Sequence, residues 1–335
     1  MKYIRNNNVK CLFSLILSLS PLVASSQVKI NKQQHFPRTV PAGNYSGITA
    51  LGDDRYAVVS DKSEKDGFFV FHIVIDSLTG RIRQIDNEGF RATDSPNRDQ
   101  EGIAYFPLKN TVFISGESDN RILEYSLDGN NTTRYTGRSL AVPEIFKTAT
   151  ANYGFESLSY NANTHRFWTT TESTLPADGA QAVPQKPVAS KLRIQSFDDN
   201  LQPADQYFYE MDMPEATKRS AMYAMGVSEL CAMDDGSLLV LEREFYVSKS
   251  KLGSFVSCKI YRIEPSAKLV GHLLPKRLLA SFRTKLTLLG HGIANYEGMC
   301  LGPRLKDGRH VLILLSDSQN QYKGVLKDWF KTIIF

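Results

Sequence analysis

Five times along the chain, a glycine or an acid leads into a short apolar strand, a turn follows, and a second apolar strand ends on another acid. "DQEGIAY" runs on to "TVFISGES", "GFESLSY" to "RFWTTTES", "VSELCAM" to "LLVLERE" and "NYEGMCL" to "VLILLSDS". The segment "YSGITALGDDRYAVVSD" fits the same frame, with Gly47 in the leading place and Asp61 closing the second strand. The copies start at 47, 101, 156, 229 and 297, giving steps of 54, 55, 73 and 68 residues. Repeats of this length, built from short strands and turns, are the mark of a β-fold arranged radially around an axis.

Two more strands follow each pair. They read "FFVFHIVID" and "RIRQID" in the first copy, "RILEYSLD" and "TTRYTG" in the second, "KLRIQSFD" and "QYFYEMD" in the third, and "CKIYRIEP" and "RLLASFRT" in the fourth. Apolar and polar positions alternate well in "KLRIQSFD" and "KIYRIE", as half-buried strands require. The fifth copy stops at "FKTIIF", one strand short. The early segment "VKINKQQHF" is expected to supply the missing strand and close the ring, since an open edge would otherwise invite pairing with other chains. "PEIFKTATA" and "PEATKRSAMYAM" are short helices or loops at most. The expected fold is an all-β propeller of about five four-stranded antiparallel blades; the count is also compatible with six.

Residues 1–26 read as a signal peptide. Lys2, Arg5 and Lys10 form a basic head, "CLFSLILSLSPLVA" an apolar stretch too short to span a bilayer, and "ASSQ" a small-residue cleavage site. The propeller domain is then 27–335, exported to the periplasm or the medium. Losing three bases and no acid takes the formal net charge from +5 to about +2. A nearly neutral chain without a basic tract excludes nucleic acid as a natural partner. No second apolar stretch suggests a membrane span, and a monomer is favoured. Cys231, Cys258 and Cys300 remain. Three small apolar residues in buried strands is the expected state, with a Cys231–Cys258 disulfide left open by the oxidising compartment.

In a propeller blade the first strand lines the channel and the second runs antiparallel beside it, so the start of one and the end of the other share a rim. Asp61, Glu101, Glu117, Glu156, Glu172, Glu229, Glu242, Glu297 and Asp317 should therefore gather at one mouth, with Asp99 beside them. So many carboxylates repel one another unless protons or cations compensate. A structural role competes: a Glu at the start of an inner strand can accept N–H bonds from the next blade and lock the ring, with Arg98, Arg121 and Arg243 neutralising others. The ordinary hydrolase machines are missing. There is no G-x-S-x-G elbow, no H-E-x-x-H and no Walker loop. Of six scattered histidines only His291, in "GHGIANYEG", precedes a rim motif. "DKSEKDG" has the outline of a calcium loop, but Lys65 stands where an oxygen ligand is wanted.

The ordered set "SGI…VVSD", "DQEGIAY…ISGES", "GFESLSY…TTTES", "VSELCAM…LLVLERE" and "NYEGMCLGPRLKDGR…LLSDS" resembles the bacterial family known as esterase-like activity of phytase, or phytase-like. The likeness covers the chain from Tyr45 to the C-terminus, and departs from the usual Glu-Gly pair at Glu156-Ser157 and Glu229-Leu230. It implies a secreted β-propeller acting as a hydrolase on small-molecule phosphate esters or related esters. The residues add the chemistry. Clustered carboxylates suit Ca²⁺ or another divalent cation, with Asp61, Asp99, Glu101, Glu297 and Asp317 as candidate ligands. Glu101, Glu297, Arg98 and Arg243 form the candidate catalytic set, the arginines as phosphate clamps and a carboxylate as general base. Glu117, Glu156, Glu172, Glu229, Glu242, His291 and Asn295 complete the expected mouth. The alternative is a non-catalytic propeller whose mouth binds a small molecule or a protein.

Overall fold

The computed structural model describes residues 27–127, 129, 132–288, 290, 292–319 and 326–335. Two short strands, β1 (Lys29–Ile30) and β2 (Gln34–His35), precede the ring. The first blade is β3 (Tyr45–Gly52), β4 (Arg55–Ser60), β5 (Lys65–Ile75) and β6 (Ile82–Pro96). The second is β7 (Gln100–Phe106), β8 (Thr111–Gly116), β9 (Arg121–Ser126) and β10 (Tyr135–Ser139). The third is β11 (Phe155–Asn161), β12 (Arg166–Thr171), β13 (Lys191–Phe197) and β14 (Pro203–Glu210). The fourth is β15 (Met222–Ala232), β16 (Leu238–Val247), β17 (Phe255–Ile263) and β18 (Lys276–Lys285). The fifth holds β19 (Asn295–Leu301), β20 (Val311–Asp317) and β21 (Trp329–Ile334).

Every blade is an antiparallel meander, and the inner strands β3, β7, β11, β15 and β19 neighbour one another around the axis. The propeller therefore has five blades. Among the described residues only two 3-10 turns, Glu144–Thr148 and Ala267–Leu269, interrupt the strands, so "PEIFKTATA" is a short helical turn. The end of "PEATKRSAMYAM" is instead the start of β15, because Met222 onward pairs with β16. Among the described residues no helix is long and apolar enough to cross a membrane. Cys231, Cys258 and Cys300 are free and buried. Cys231 lies opposite Leu239 and Cys258 opposite Arg243, so the first two thiols stand well apart along β16.

Burial explains the ring. Both faces of a central strand pack on neighbouring blades, so "VLILLSD" and "LLVLEREFYV" are buried at every position. The outer strand β18 alternates toward solvent. Five apolar clusters form, one at each blade interface. Ala57, Phe68, Ile103 and Tyr125 meet between the first two blades. Leu239, Cys258, Tyr296 and Leu312 meet between the last two.

The N-terminal strand closes the ring. β1 pairs antiparallel with β21, Lys29 opposite Ile334, and β2 pairs with the start of the same strand, Gln34 opposite Phe330. Asn31 ties the closure together. Its Nδ2 donates to Thr332 Oγ1 at 3.0 Å in the fifth blade and to the Thr79 carbonyl at 3.2 Å in the first. Asn31→Ala removes both bonds at a buried site, at a cost of about 1–2 kcal/mol. The melting temperature should fall by about 2–6 °C. An unchanged melt would show that the side-chain bonds of Asn31 add nothing to closure.

Candidate acidic mouth of the channel

Each inner strand carries a β-bulge at its motif. Gln100 opposes Gly116 but Ile103 opposes Ile114; Phe155 opposes Thr171 but Ser157 opposes Thr170. Tyr296 opposes Ser316 while Gly298 opposes Leu315, and Tyr45 opposes Ser60 while Ile48 opposes Val58. The extra residue bends the strand and re-aims the side chain at the bulge. Glu101, Glu156 and Glu297 thus occupy one equivalent position, and Ser46 takes it in the first blade. The residue after it meets the next inner strand. A Cβ on Gly47 would lie 2.3 Å from the Glu101 carbonyl, and one on Gly102 would lie 2.6 Å from the Leu158 nitrogen. Glycine there answers to a neighbouring backbone.

The fourth blade is out of step by one. Val227 opposes Glu242 and Glu229 opposes Leu241, so the bulge falls on Ser228. Ser228 holds the place of Glu101, and Glu229 falls where the other blades carry Gly or Ser. The same shift puts Arg243, not Glu242, in the rim position held by Asp61, Glu117, Glu172 and Asp317. Glu229 is consequently fully buried below the mouth, where Oε1 accepts from Leu158 N at 3.2 Å and Leu230 N at 3.0 Å. Glu242 turns toward the third blade, accepting from Tyr209 at 2.6 Å and pairing with Lys276 at 2.7 Å. Both expectations of a place at the mouth are corrected.

The mouth is a cavity of about 370 Å³ lined by eight carboxylates, those of Asp61, Asp99, Glu101, Glu117, Glu156, Glu172, Glu297 and Asp317. Among the described residues only two cations, Lys62 and Arg243, line it with them. Arg243 is fixed. Its guanidinium meets Glu172 at 2.5 Å, Glu297 at 3.4 Å and Asn295 Oδ1 at 3.3 Å, and Asn295 in turn donates to Glu297 at 2.8 Å. Lys62 bridges Asp99 at 2.6 Å and Asp61 at 2.9 Å. Glu117 accepts from Gly154 N at 2.8 Å, and Asp317 accepts from Gln319 N at 2.6 Å. Glu101 and Glu156 have no hydrogen-bond partner among the described residues, and one buried oxygen of Asp61, Oδ1, also lacks one.

Arg98 does not reach the mouth, which corrects its expected role as a clamp there. Asp99 has φ +59°, so the chain turns sharply between the two residues. The guanidinium folds back to Asp119 at 2.8 Å, Tyr125 at 3.2 Å and Asp66 at 3.6 Å. His291 lies outside the described residues. Lys62 was not singled out from the sequence, although its place directly after Asp61 in "DKSEKDG" is the signal that would have found it. Tyr153 and Asn152, also on the mouth, come from a loop that carries no motif.

Burial governs the protonation of the mouth. Loss of solvent, reinforced by like charge, pushes Glu101 and Glu156 well above the ordinary carboxylate range. Asp317 is raised in the same way, and Asp61, Glu117 and Glu297 are raised as well. Burial takes Glu172 up to about 7 although Arg243 pulls it down. A carboxyl whose folded pKa is raised stabilises the fold fully below its unfolded value, near 4.3 for Glu, and loses that stabilisation as pH rises through the folded value. Stability of the metal-free protein should therefore fall between about pH 4.5 and pH 7, Glu172 contributing on the order of 3 kcal/mol. Asp76 and Asp212, held low by Arg83 and by lysines and Tyr261, have finished titrating below that window. His35 and His310, lowered by burial, oppose the seven raised carboxyls of the mouth, to which the raised Asp66, Glu229, Glu242, Glu244 and Asp328 add. Melting curves at pH 5, 6 and 7 check the sign; a rise in stability across the window would refute it.

No curated protein matches the chain. Solved structures do, at low identity. The endo-arabinase from Bacteroides thetaiotaomicron is 10% identical with a TM-score of 0.47, covering 88% of this chain and 94% of its own. A luciferin-regenerating enzyme is 11% identical with a TM-score of 0.43, covering 87% and 91%. The tail fiber of Staphylococcus aureus phage P68 is 10% identical with a TM-score of 0.45, covering 92% of this chain and 52% of its own. A family model, by contrast, matches residues 40–319, from ahead of the first bulge to just past Asp317, and so takes in every rim position described above. The chain belongs to the Phytase-like family, described as esterase-like activity of phytase.

Proposed function

We propose that this chain is an exported hydrolase of phosphate esters or related esters, assisted by a divalent cation held at the acidic mouth. One observation carries the reading: eight carboxylates share the mouth with two cations, and two of those carboxylates, Glu101 and Glu156, are committed to nothing else among the described residues. The donors suit a hard cation. Asp61, Asp99 and Glu101 each bring an oxygen to a point where all three lie within 4.8 Å of one another. The unpartnered Asp61 Oδ1 wants a donor or an ion, and the Lys62 ammonium already lies between Asp61 and Asp99. Oxygen-only ligation of this kind is what Ca²⁺ takes. Such a cation, when bound, polarises a phosphoryl or carbonyl oxygen as a Lewis acid. Glu297 and Asp317, the other two candidate ligands, face Arg243 and each other across the mouth.

The protein's own groups divide the remaining work. Arg243 gives fixed positive charge toward a substrate oxyanion, held in place by Glu172, Glu297 and Asn295. Glu156, raised by burial, keeps a proton on its carboxyl oxygen and serves as the acid toward a leaving alkoxide. Glu101, once ionised beside the cation, takes a proton from the attacking water. Two carboxylates whose environments differ in this way divide acid and base roles. A non-catalytic binding propeller predicts every motif acid satisfied internally. Glu242 meets that description and Glu229 meets it at Oε1, whereas Glu101 and Glu156 do not.

The purified chain from residue 27 should hydrolyse a chromogenic phosphomonoester or carboxyl ester, with activity lost on chelation. Silence on both ester classes with Ca²⁺, Mg²⁺ and Mn²⁺ would favour the binding propeller. Glu101→Gln should weaken divalent affinity by about tenfold or more and reduce turnover with it. Its melting temperature without metal should hold or rise, because a buried carboxyl has been replaced by a neutral amide of the same shape. A lower melting temperature with unchanged metal affinity would mark Glu101 as a latch between blades.

Lys62→Met supplies the converse. Removing the ammonium frees Asp61 and Asp99, so divalent affinity should rise severalfold, about 1 kcal/mol for a half-exposed charge pair. Calorimetric titration with Ca²⁺ measures it. Weaker binding in this variant would place the cation elsewhere.

A further inference from the structure

Beside the mouth, on the flank of the third blade, lies a second cavity of about 270 Å³, and nothing in the proposed chemistry uses it. Thr150, Tyr153, Ser173, Thr174, Pro176 and Gln181 line it, and no lining side chain carries a charge. Tyr153 belongs to the walls of both cavities, and Ser173 follows the rim acid Glu172 directly in the chain. The two spaces are therefore adjoining parts of one cleft.

Ser173 marks the second space as built to receive something. The residue is 2% exposed, and its buried hydroxyl oxygen has no hydrogen-bond partner. Its neighbours are accounted for: Thr171 Oγ1 donates to the Ser173 carbonyl at 2.7 Å, and Thr174 Oγ1 donates to the Lys191 carbonyl at 2.7 Å. A buried hydroxyl left unpaired costs about 1–3 kcal/mol, and such exceptions call for a partner supplied from outside the chain.

We infer that this flank pocket is a subsite for the uncharged, hydroxyl-bearing part of a substrate, a sugar or polyol unit, whose ester group lies at the acidic mouth. The inference rests on the hydrolase reading and narrows it. Hydroxyl and amide groups with both donor and acceptor capacity match a polyol's own hydroxyls. The absence of Lys and Arg from this pocket argues against a multiply phosphorylated ligand, since its further charges would lie against Ser, Thr, Gln and Pro without compensation. The substrate class is then a singly charged or neutral ester of a hydroxylated alcohol.

Two probes and two variants test it on the full mature chain. Methyl glucoside reports the flank pocket, and inorganic phosphate with Ca²⁺ reports the mouth. Thr150→Trp places an indole over the pocket from an exposed position, and Ser173→Ala removes only the unpaired hydroxyl. Binding of methyl glucoside, followed by NMR titration, should weaken by about tenfold or more in Thr150→Trp and by about three- to tenfold in Ser173→Ala. Affinities for Ca²⁺ and phosphate, and the melting temperature of Thr150→Trp, should stay as in the wild type. Equal glucoside binding in the wild type and both variants, or none in the wild type, overturns the subsite while leaving the mouth untouched. Loss of phosphate and Ca²⁺ binding in the wild type, with the glucoside pattern as expected, overturns the mouth reading and leaves the subsite standing.

Discussion

Five inner strands have to meet around one axis, and at the level of the bulge three of them leave no room for a side chain between one backbone and the next. The contact of Gly47 with the Glu101 carbonyl is repeated by Gly102 against Leu158 and by Gly298 against Ser46, whose carbonyl would lie 2.9 Å from an added Cβ. This crowding fixes the level at which each bulge sits, and the bulge decides which residue turns into the mouth. The rim acids obey the same geometry one layer up. The Glu117 side chain lies over Gly154 and that of Glu172 over Gly226, where an added Cβ would come within 2.8 Å and 2.3 Å of the respective Cγ atoms. The acids of the second and third blades thus rest on the bare backbone of the blade that follows.

Around that ring the fourth blade is the exception that makes the others tolerable. Its one-residue shift withdraws Glu229 and Glu242 from the mouth and brings Arg243 in. Withdrawn, each acid finds its own donors, Glu229 in backbone N–H groups and Glu242 in Tyr209, Lys276 and Asp212 N. A buried guanidinium between carboxylates of the third and fifth blades is worth having only when its charge is matched closely, and three polar partners supply that match. A sequence in strict register would have set more acids around the axis with no fixed cation among them.

Most of the fold was legible because it is written in repeats: paired strands, turns, and a missing last strand that the N-terminus restores. The acids were legible as a set for the same reason. What escaped was register. "VSELCAM" looks like its sister motifs, yet the bulge falls one residue before its Glu, and a shift of one in a strand changes what every side chain faces. The sequence shows no bulge, since nothing in the residue types at 227 to 229 distinguishes Ser228 as the extra one. Arg98 was misplaced by a different cause, the left-handed turn at Asp99, a conformation that a non-glycine residue rarely adopts. Lys62 differs from Lys65 in the same segment only in following Asp61 directly.

The two cations at the mouth differ in a way that gives the ring a direction. Arg243 has a side chain only 3% exposed and is pinned by the third and fifth blades, so the charge on that side is permanent. Lys62 has a side chain 53% exposed, and it pairs with Asp61 and Asp99 and draws on the charge of Glu117 on the first two blades. A long side chain that holds its partners from solvent can leave at little cost, because surface pairs contribute about 0–1 kcal/mol. The acids beneath it cannot leave. On the proposed reading, Asp61, Asp99 and Glu101 would hold a divalent cation in the place of the Lys62 ammonium, on the first two blades and away from Arg243. The asymmetry of one blade in five converts a repeated acidic ring into a site with two distinct ends.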